Sequence, residues 1–383
     1  MTTPLRPTLL ALLWLVASAF AAEPPAPTFP LWDGHESVAQ YAARTNLPPT
    51  KTLDLGNGVK LELVLIPAGK FVMGTPEPEP VDEETFLKKI VMGKALLAAG
   101  GGILLVLICS AILRAIRQKR RFQYSLRRFM AMAFAASLGV LGGMHWWHSA
   151  RTLAQAQAEY AKTMGRYREA DSEEKPAHDV TITQPFLMGK YPVTQEQYEA
   201  LTGSNPSHFK GAKNPVENVS WHEVQEFCKK LNERTAGVSP ARTEAGGTPA
   251  VRLPTEAERE YACRAGTKTT YHSGDEEADL ARVAWYGSNS GHSTHPVGQK
   301  EPNAFGLYDM HGNVVEWCAD CFGVYGMGAA TNPPGPVTGD WRLLRGGAWI
   351  VNPRLCRSAT RGYHSPDVRH NFLGFRVVVA RTP

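Results

Sequence analysis

The sequence predicts an α+β fold of sparse regular structure, interrupted by a two-helix membrane hairpin. Three observations carry this. Short segments with strand character alternate with helices marked by capping boxes. The stretch from Gly274 to Pro383 repeats Gly, Pro and Asp too often for long elements. Two long uncharged apolar runs interrupt the early chain, with a basic loop between them.

The first 22 residues read as a secretory signal, with Arg6 as the basic start, Leu9 to Val16 as the apolar core and Ala19-Phe20-Ala21 as a small-x-small cleavage site. Residues 23–52, beginning Glu23-Pro-Pro-Ala-Pro27, read as an N-terminal linker. Leu61 to Ile66 and Phe71 to Gly74 are the first strands of a domain that opens over 53–80.

Residues 81–174 read as an insertion in that domain. Ala95 to Leu113 and Phe129 to Trp147 are each 19 residues without Lys, Arg, Asp or Glu. At about 1.5 Å per residue, each is long enough for a hydrocarbon core of about 30 Å. Arg114, Arg117, Lys119, Arg120, Arg121, Arg127 and Arg128 lie between them. Loops rich in Lys and Arg stay cytoplasmic, which leaves both soluble flanks outside, where the signal also delivers them. The expected location is therefore the inner membrane, with a periplasmic domain, a cytoplasmic basic loop and Trp146-Trp147 at the outer interface. Ala150 to Glu174 reads as a polar helical stalk.

The formal charge of +5 belongs to this device. Residues 94–128 hold eight Lys or Arg and no acid, so the remainder is net acidic and nucleic-acid binding is excluded for the folded part.

The domain resumes over 175–381. Val180 to Thr183 alternates like a half-exposed strand. Thr194…Gln197, Ser220…Glu223 and Thr255…Glu258 are capping boxes, in which hydroxyl and carboxyl or amide satisfy each other's backbone donors. The second helix puts Val224, Phe227, Cys228 and Leu231 on one face, and the third ends near Gly266. Gly237 to Pro249 reads as a low-complexity loop, an insertion of low entropic cost.

Chemistry-bearing patterns are few. Neither His-x₃-His, HExxH, G-x-S-x-G nor a Walker A word occurs, which leaves zinc-hydrolase, serine-hydrolase and P-loop readings without support. Cys318-Ala-Asp-Cys321 has redox or zinc spacing, but no second such pair accompanies it, so packing is the preferred reading.

The richest segment is Asn303-Ala-Phe-Gly-Leu-Tyr-Asp-Met-His-Gly-Asn-Val-Val-Glu-Trp317. It stands between Arg252-Leu-Pro-Thr-Glu-Ala-Glu258 and a tail of Leu344-Arg-Gly-Gly347, Cys356-Arg-Ser-Ala-Thr-Arg361 and Gly374-Phe-Arg376. With Phe186 to Tyr198 and Pro215 to Trp221, these words in this order resemble the sulfatase-modifying-factor, or formylglycine-generating enzyme, family. The resemblance covers about 53–80 and 175–381. It implies an α+β fold akin to C-type lectins, and an oxidase that converts a sulfatase cysteine to formylglycine with dioxygen and copper held by two thiolates, the soft ligands suited to Cu(I).

Counting from the Gly pair, the resemblance sets the second copper cysteine at Cys356 and the first at Val351, which cannot coordinate. Ala348 and Val315 also depart from the pattern. The expectation is therefore a divergent member that binds a ligand or partner. One alternative keeps a copper-dependent oxidase, with Cys356 catalytic, acting on an exported sulfatase. Another makes the domain the sensing half of a membrane assembly, its basic loop meeting anionic lipid or a cytoplasmic protein. Trp349, Arg357 and Arg361 are the expected pocket residues, while Arg345 and Arg376 are expected to brace the core. The resemblance also implies a structural calcium on Asp309, Gly312, Val314 and Glu316, oxygen donors of the kind calcium takes. It further implies disulfide positions at Cys228 and Cys263, whose C-terminal partners are replaced here, by Val377 and near Ser358.

Overall fold

A computed structural model of the chain describes residues 29–77, 171–235 and 250–380. The signal, both apolar runs, the basic loop, most of the stalk and the 237–249 loop lie outside these residues. Among the described residues, no helix is long and apolar enough to cross a membrane.

The domain begins earlier than the sequence suggested. Inside the presumed linker, Ser37 and Gln40 form a complete capping box that starts α1 (Val38–Thr45), and Tyr41 and Ala42 are buried. The Tyr41 hydroxyl donates to the Pro30 carbonyl at 3.0 Å and accepts from the Ala68 N–H at 3.2 Å. Next come β1 (Thr50–Gly56), β2 (Val59–Ile66) and β3 (Gly69–Met73).

The chain returns at residue 171 through a 3₁₀ turn, Ser172–Glu174, into β4 (His178–Ile182) and β5 (Phe186–Gly189). Glu174, assigned to the stalk by sequence, is buried in the domain. α2 (Gln195–Thr202) and α3 (Trp221–Thr235) follow, then β6 (Ala250–Arg252), α4 (Glu256–Arg264) and α5 (Glu277–Val283). The last third is a run of short strands: β7 (Ala284–Trp285), β8 (His311–Gly312), β9 (Val315–Cys321), β10 (Ala330–Thr331), β11 (Arg342–Arg345), β12 (Arg361–His364), β13 (Leu373–Phe375) and β14 (Val378–Ala380).

These strands make four small sheets, ordered β1-β2-β5-β14-β6, β10-β4-β3, β12-β11-β9-β13 and β7-β8. β3 pairs antiparallel with β4, from Gly69 opposite Ile182 to Met73 opposite His178. The Thr75 N–H continues the junction by donating to the Glu174 carbonyl at 3.1 Å. The chain therefore leaves and re-enters the domain at one place.

Two apolar cores lie against the first sheet. α3 buries Val224, Phe227, Cys228 and Leu231 among Leu53, Leu61, Leu63, Val251 and Phe375, as its stripe predicts. Full burial of each such side chain contributes about 1.5–3 kcal/mol. The other core gathers Ile66, Val180, Met188, Tyr261 and Phe305 around α4.

Candidate functional site

The Asn303–Trp317 word folds into a turn cluster held by its own polar side chains. Asn303 accepts the Phe305 and Leu307 N–H groups on Oδ1 and donates from Nδ2 to the Ala262 carbonyl at 2.6 Å, fastening the turn to α4. Asp309, Gly312 and Asn313 all have positive φ. Gly312 is required there, because a Cβ would collide with the Trp285 carbonyl. Asn313 clasps the preceding loop, accepting the His295 N–H at 3.1 Å and donating to the His295 carbonyl at 3.0 Å. Sequence reasoning passed over this residue. Its signal was an Asn following Gly in a turn-rich word, where a left-handed backbone is expected.

Glu316 leaves this turn on β9 and enters a clamp of two arginines. Arg259 Nε donates to Oε2 at 2.7 Å, and Arg376 Nη2 to Oε1 at 3.1 Å, all three side chains being buried. Burial alone would raise the Glu316 pKa, but the two guanidiniums outweigh it and hold the carboxyl below the usual range. Asp309 differs. It accepts one backbone N–H from Gly298 at 2.8 Å and the Asn313 amide at 3.3 Å, and burial raises its pKa. The donor set Asp309, Gly312, Val314 and Glu316 therefore does not fit calcium as arranged: the Glu316 carboxylate is neutralised by two buried cations that would repel the ion, and Asp309 feels one of them, Arg376, as well.

The same clamp motif recurs along α4. Glu260 pairs with Arg264 at 2.9 Å and with Arg345, Glu256 with Arg361 at 2.6 Å, and Glu258 with Arg252 at 2.7 Å. Arg357 chelates Glu174 with both Nη atoms, at 2.6 and 2.7 Å. Arg345 and Arg376 brace the core as expected. Of the expected pocket residues, Arg357 and Arg361 direct their guanidiniums to the buried carboxylates of Glu174 and Glu256. Trp349 is likewise a strut, donating to the Asn371 carbonyl at 2.9 Å with Phe209 edge-on at 5.1 Å.

Cys356 is fully buried beside Tyr271 and Val351. Burial pushes its thiol up to about 12, against the lowering effect of the Ala348 and Gly312 N–H groups. A thiol held up in this way keeps its proton at neutral pH, which disfavours it as a nucleophile. Gly347 packs directly on the sulfur, since a Cβ there would sit 2.6 Å from Sγ.

The imidazole of His311 lies between the Cys356 backbone and Cys263. Its Nδ1 is 2.7 Å from the Cys356 carbonyl, and Nε2 accepts the His272 N–H at 3.2 Å and lies 3.6 Å from Cys263 Sγ. These partners assign the proton to Nδ1. Burial lowers the His311 pKa to about 3, so the ring stays neutral.

All five described cysteines are free and buried. Cys228 belongs to the α3 core, the Cys318 carbonyl accepts Trp221 Nε1, and the Cys321 thiol reaches the Gly339 carbonyl at 3.6 Å. Among the described residues, no group of three or more His, Cys, Asp or Glu is placed to hold a metal. With Val351 opposite a lone thiol, the residues do not fit copper.

The four-sheet α+β fold and the turn cluster behind α4 define the class. A family model for the sulfatase-modifying factor enzyme 1-like domain matches residues 133–381, and the chain belongs to that family. The chaperone protein LppX of Paenibacillus barcinonensis is 34% identical over 241 residues, covering 52% of this chain and 81% of LppX. The formylglycine-generating enzyme of Streptomyces coelicolor is 37% identical over 193 residues, 46% of this chain and 54% of the enzyme. The Mus musculus enzyme is 31% identical over 222 residues, 54% of each protein. The chain thus spans about half the length of these two enzymes. Treponema denticola variable protein 1 shares the fold with a TM-score of 0.56 and 26% identity, covering 88% of this chain and 100% of that one. PvdO from Pseudomonas aeruginosa shares it at 0.54 and 24%, covering 87% and 99%.

Proposed function

We propose that this chain is a membrane-anchored, periplasmic member of the family that binds a ligand or partner protein and does not oxidise a cysteine. The carrying observation is Cys356, a free, buried thiol packed on Gly347, with Val351, which has no ligand atom, five residues earlier. A cuprous site needs soft paired donors, and this pocket supplies one sulfur. The relative named as a chaperone supports a protein partner. Anchoring is supported by the two apolar runs around seven cations, and by the β3–β4 junction, which lets an inserted hairpin depart and return side by side.

The test is Cu(I) titration of the protein, with mass spectrometry of a Cys-x-Pro-x-Arg peptide incubated with it. The expected outcome is no tight copper binding and no aldehyde. Tight binding with aldehyde formation, both lost in Cys356→Ser, establishes the second reading, a copper-dependent oxidase acting on an exported sulfatase, which the formylglycine-generating relatives favour. Anchoring is tested separately by a protease site placed in the 115–127 loop, which should resist protease added on the domain's side.

A further inference from the structure

Between Cys321 and Thr331 the chain runs through nine residues, Phe322 to Ala330, without a charge, and Tyr325 carries their only polar side-chain group. Tyr325 pins the middle of this loop inward. Its hydroxyl lies 3.3 Å from Glu256 Oε1, its ring meets His178 edge-on at 4.9 Å, and the Arg361 guanidinium covers it at 4.1 Å. The neighbours turn the other way: Val324 is 86% exposed and Met327 90%. Val337, 77% exposed, follows Pro336, whose ring fills the space beside Gly323.

This end of the domain has a definite address. A Cβ on Gly74 would touch both the Tyr325 ring and the Glu174 carbonyl, and Thr75 is bonded to that carbonyl. The loop therefore stands beside the junction where the chain departs after Thr75 and returns at Asp171. Asp171 pairs with Arg354 at 2.6 Å, and the next residue, Leu355, is also exposed.

We propose that the loop 324–329 is a lipid contact, with Val324 and Met327 entering the outer interfacial layer of the bilayer that the apolar runs span. The inference rests on the anchoring reading above and deepens it. An apolar, uncharged tip has no ion to desolvate on entering the headgroup boundary, and tethering at the adjacent junction keeps the local lipid concentration high. Absence of charge also favours lipid over a polar peptide, and predicts indifference to headgroup charge.

The experiment uses the full chain in phosphatidylcholine vesicles, in a Cys109→Ser background, since the described cysteines are buried and do not compete for label. Val324→Cys and Met327→Cys are labelled singly with an environment-sensitive fluorophore, with Glu226→Cys on the exposed face of α3 as control. The expected result is blue-shifted emission at both loop positions, quenched several-fold by lipids brominated on the acyl chain, with neither effect at the control. Water-exposed, unquenched labels, with the 115–127 protease site still shielded, overturn the lipid contact and leave the anchor standing. A blue shift without quenching assigns the loop to protein and also overturns it. Cleavage of the protease site from the domain's side removes the anchor and this inference together.

Discussion

α3 and α4 both pack against the same domain interior, and they bury opposite chemistry. α3 hides Val224, Phe227, Cys228 and Leu231 and turns its charged residues outward. α4 hides all nine of its residues, five of them charged. The burial of α4 is possible because each of these charges meets an opposite one: Arg361, Glu316 and Arg345 from distant segments, Arg252 from the strand just before the helix, and Arg264 with Glu260 within it. A helix can thus be central through hydrophobic transfer or through complete charge matching. The second route is less forgiving, because removing half of a buried pair leaves an uncompensated ion.

The comparison is sharpest at Glu316. Glu316→Ala strands Arg259 and Arg376 together and should cost about 3–5 kcal/mol in denaturant unfolding; a loss near zero would mean the clamp is solvated and the contrast with α3 false. Leu231→Ala in α3 should cost about 2–5 kcal/mol, by lost transfer and cavity formation. The two losses should differ in their pH dependence, Leu231→Ala being insensitive.

Glu260 and Glu316 have pKa values lowered by their arginines, against burial that would raise them. Their contribution is present above the ordinary glutamate pKa of about 4.3 and is lost as pH falls through the lower folded value. Asp320 runs the other way. Burial, then Glu256, raises its pKa to about 8. The folded state keeps a proton that the unfolded chain releases, so this contribution is complete below about pH 4 and drains away as pH rises toward about 8. Unfolding midpoints across pH should show both limbs, and Asp320→Asn should flatten only the alkaline one.

Loss of the α4 cap by Thr255→Ala should cost about 1 kcal/mol, as should Thr194→Ala in α2. Urea midpoints for the two variants test whether a charged helix depends on its cap more than an ordinary one. The smallest effect is expected from calcium: thermal melts should not move with added ion. A rise in melting temperature that disappears in Asp309→Ala would show that the Glu316 clamp opens to admit it.

Much of the scaffold was legible. Capping boxes located α2, α3 and α4, and apolar content located β2, β3 and β4, because such signals act within a few residues. α1 was missed although Ser37 and Gln40 form the same box, because the Pro-rich stretch before it reads as linker. α5 was also missed: its seven residues follow the N-cap Glu276, which with Asp279 makes a box without a hydroxyl. The ion pairs of Arg357 and Arg361 were not legible, because their acceptors, Glu174 and Glu256, lie 183 and 105 residues away.

Sequence alone located the starts of α2, α3 and α4 and put Val351 where the resemblance expects a sulfur; these depend on residue type and near-neighbour spacing. Tertiary structure decided which charges are buried, that Glu316 belongs to two arginines, and that an uncharged loop stands beside the chain's exit. Those outcomes depend on Coulombic and steric meetings between residues far apart in the chain, to which a linear pattern is blind.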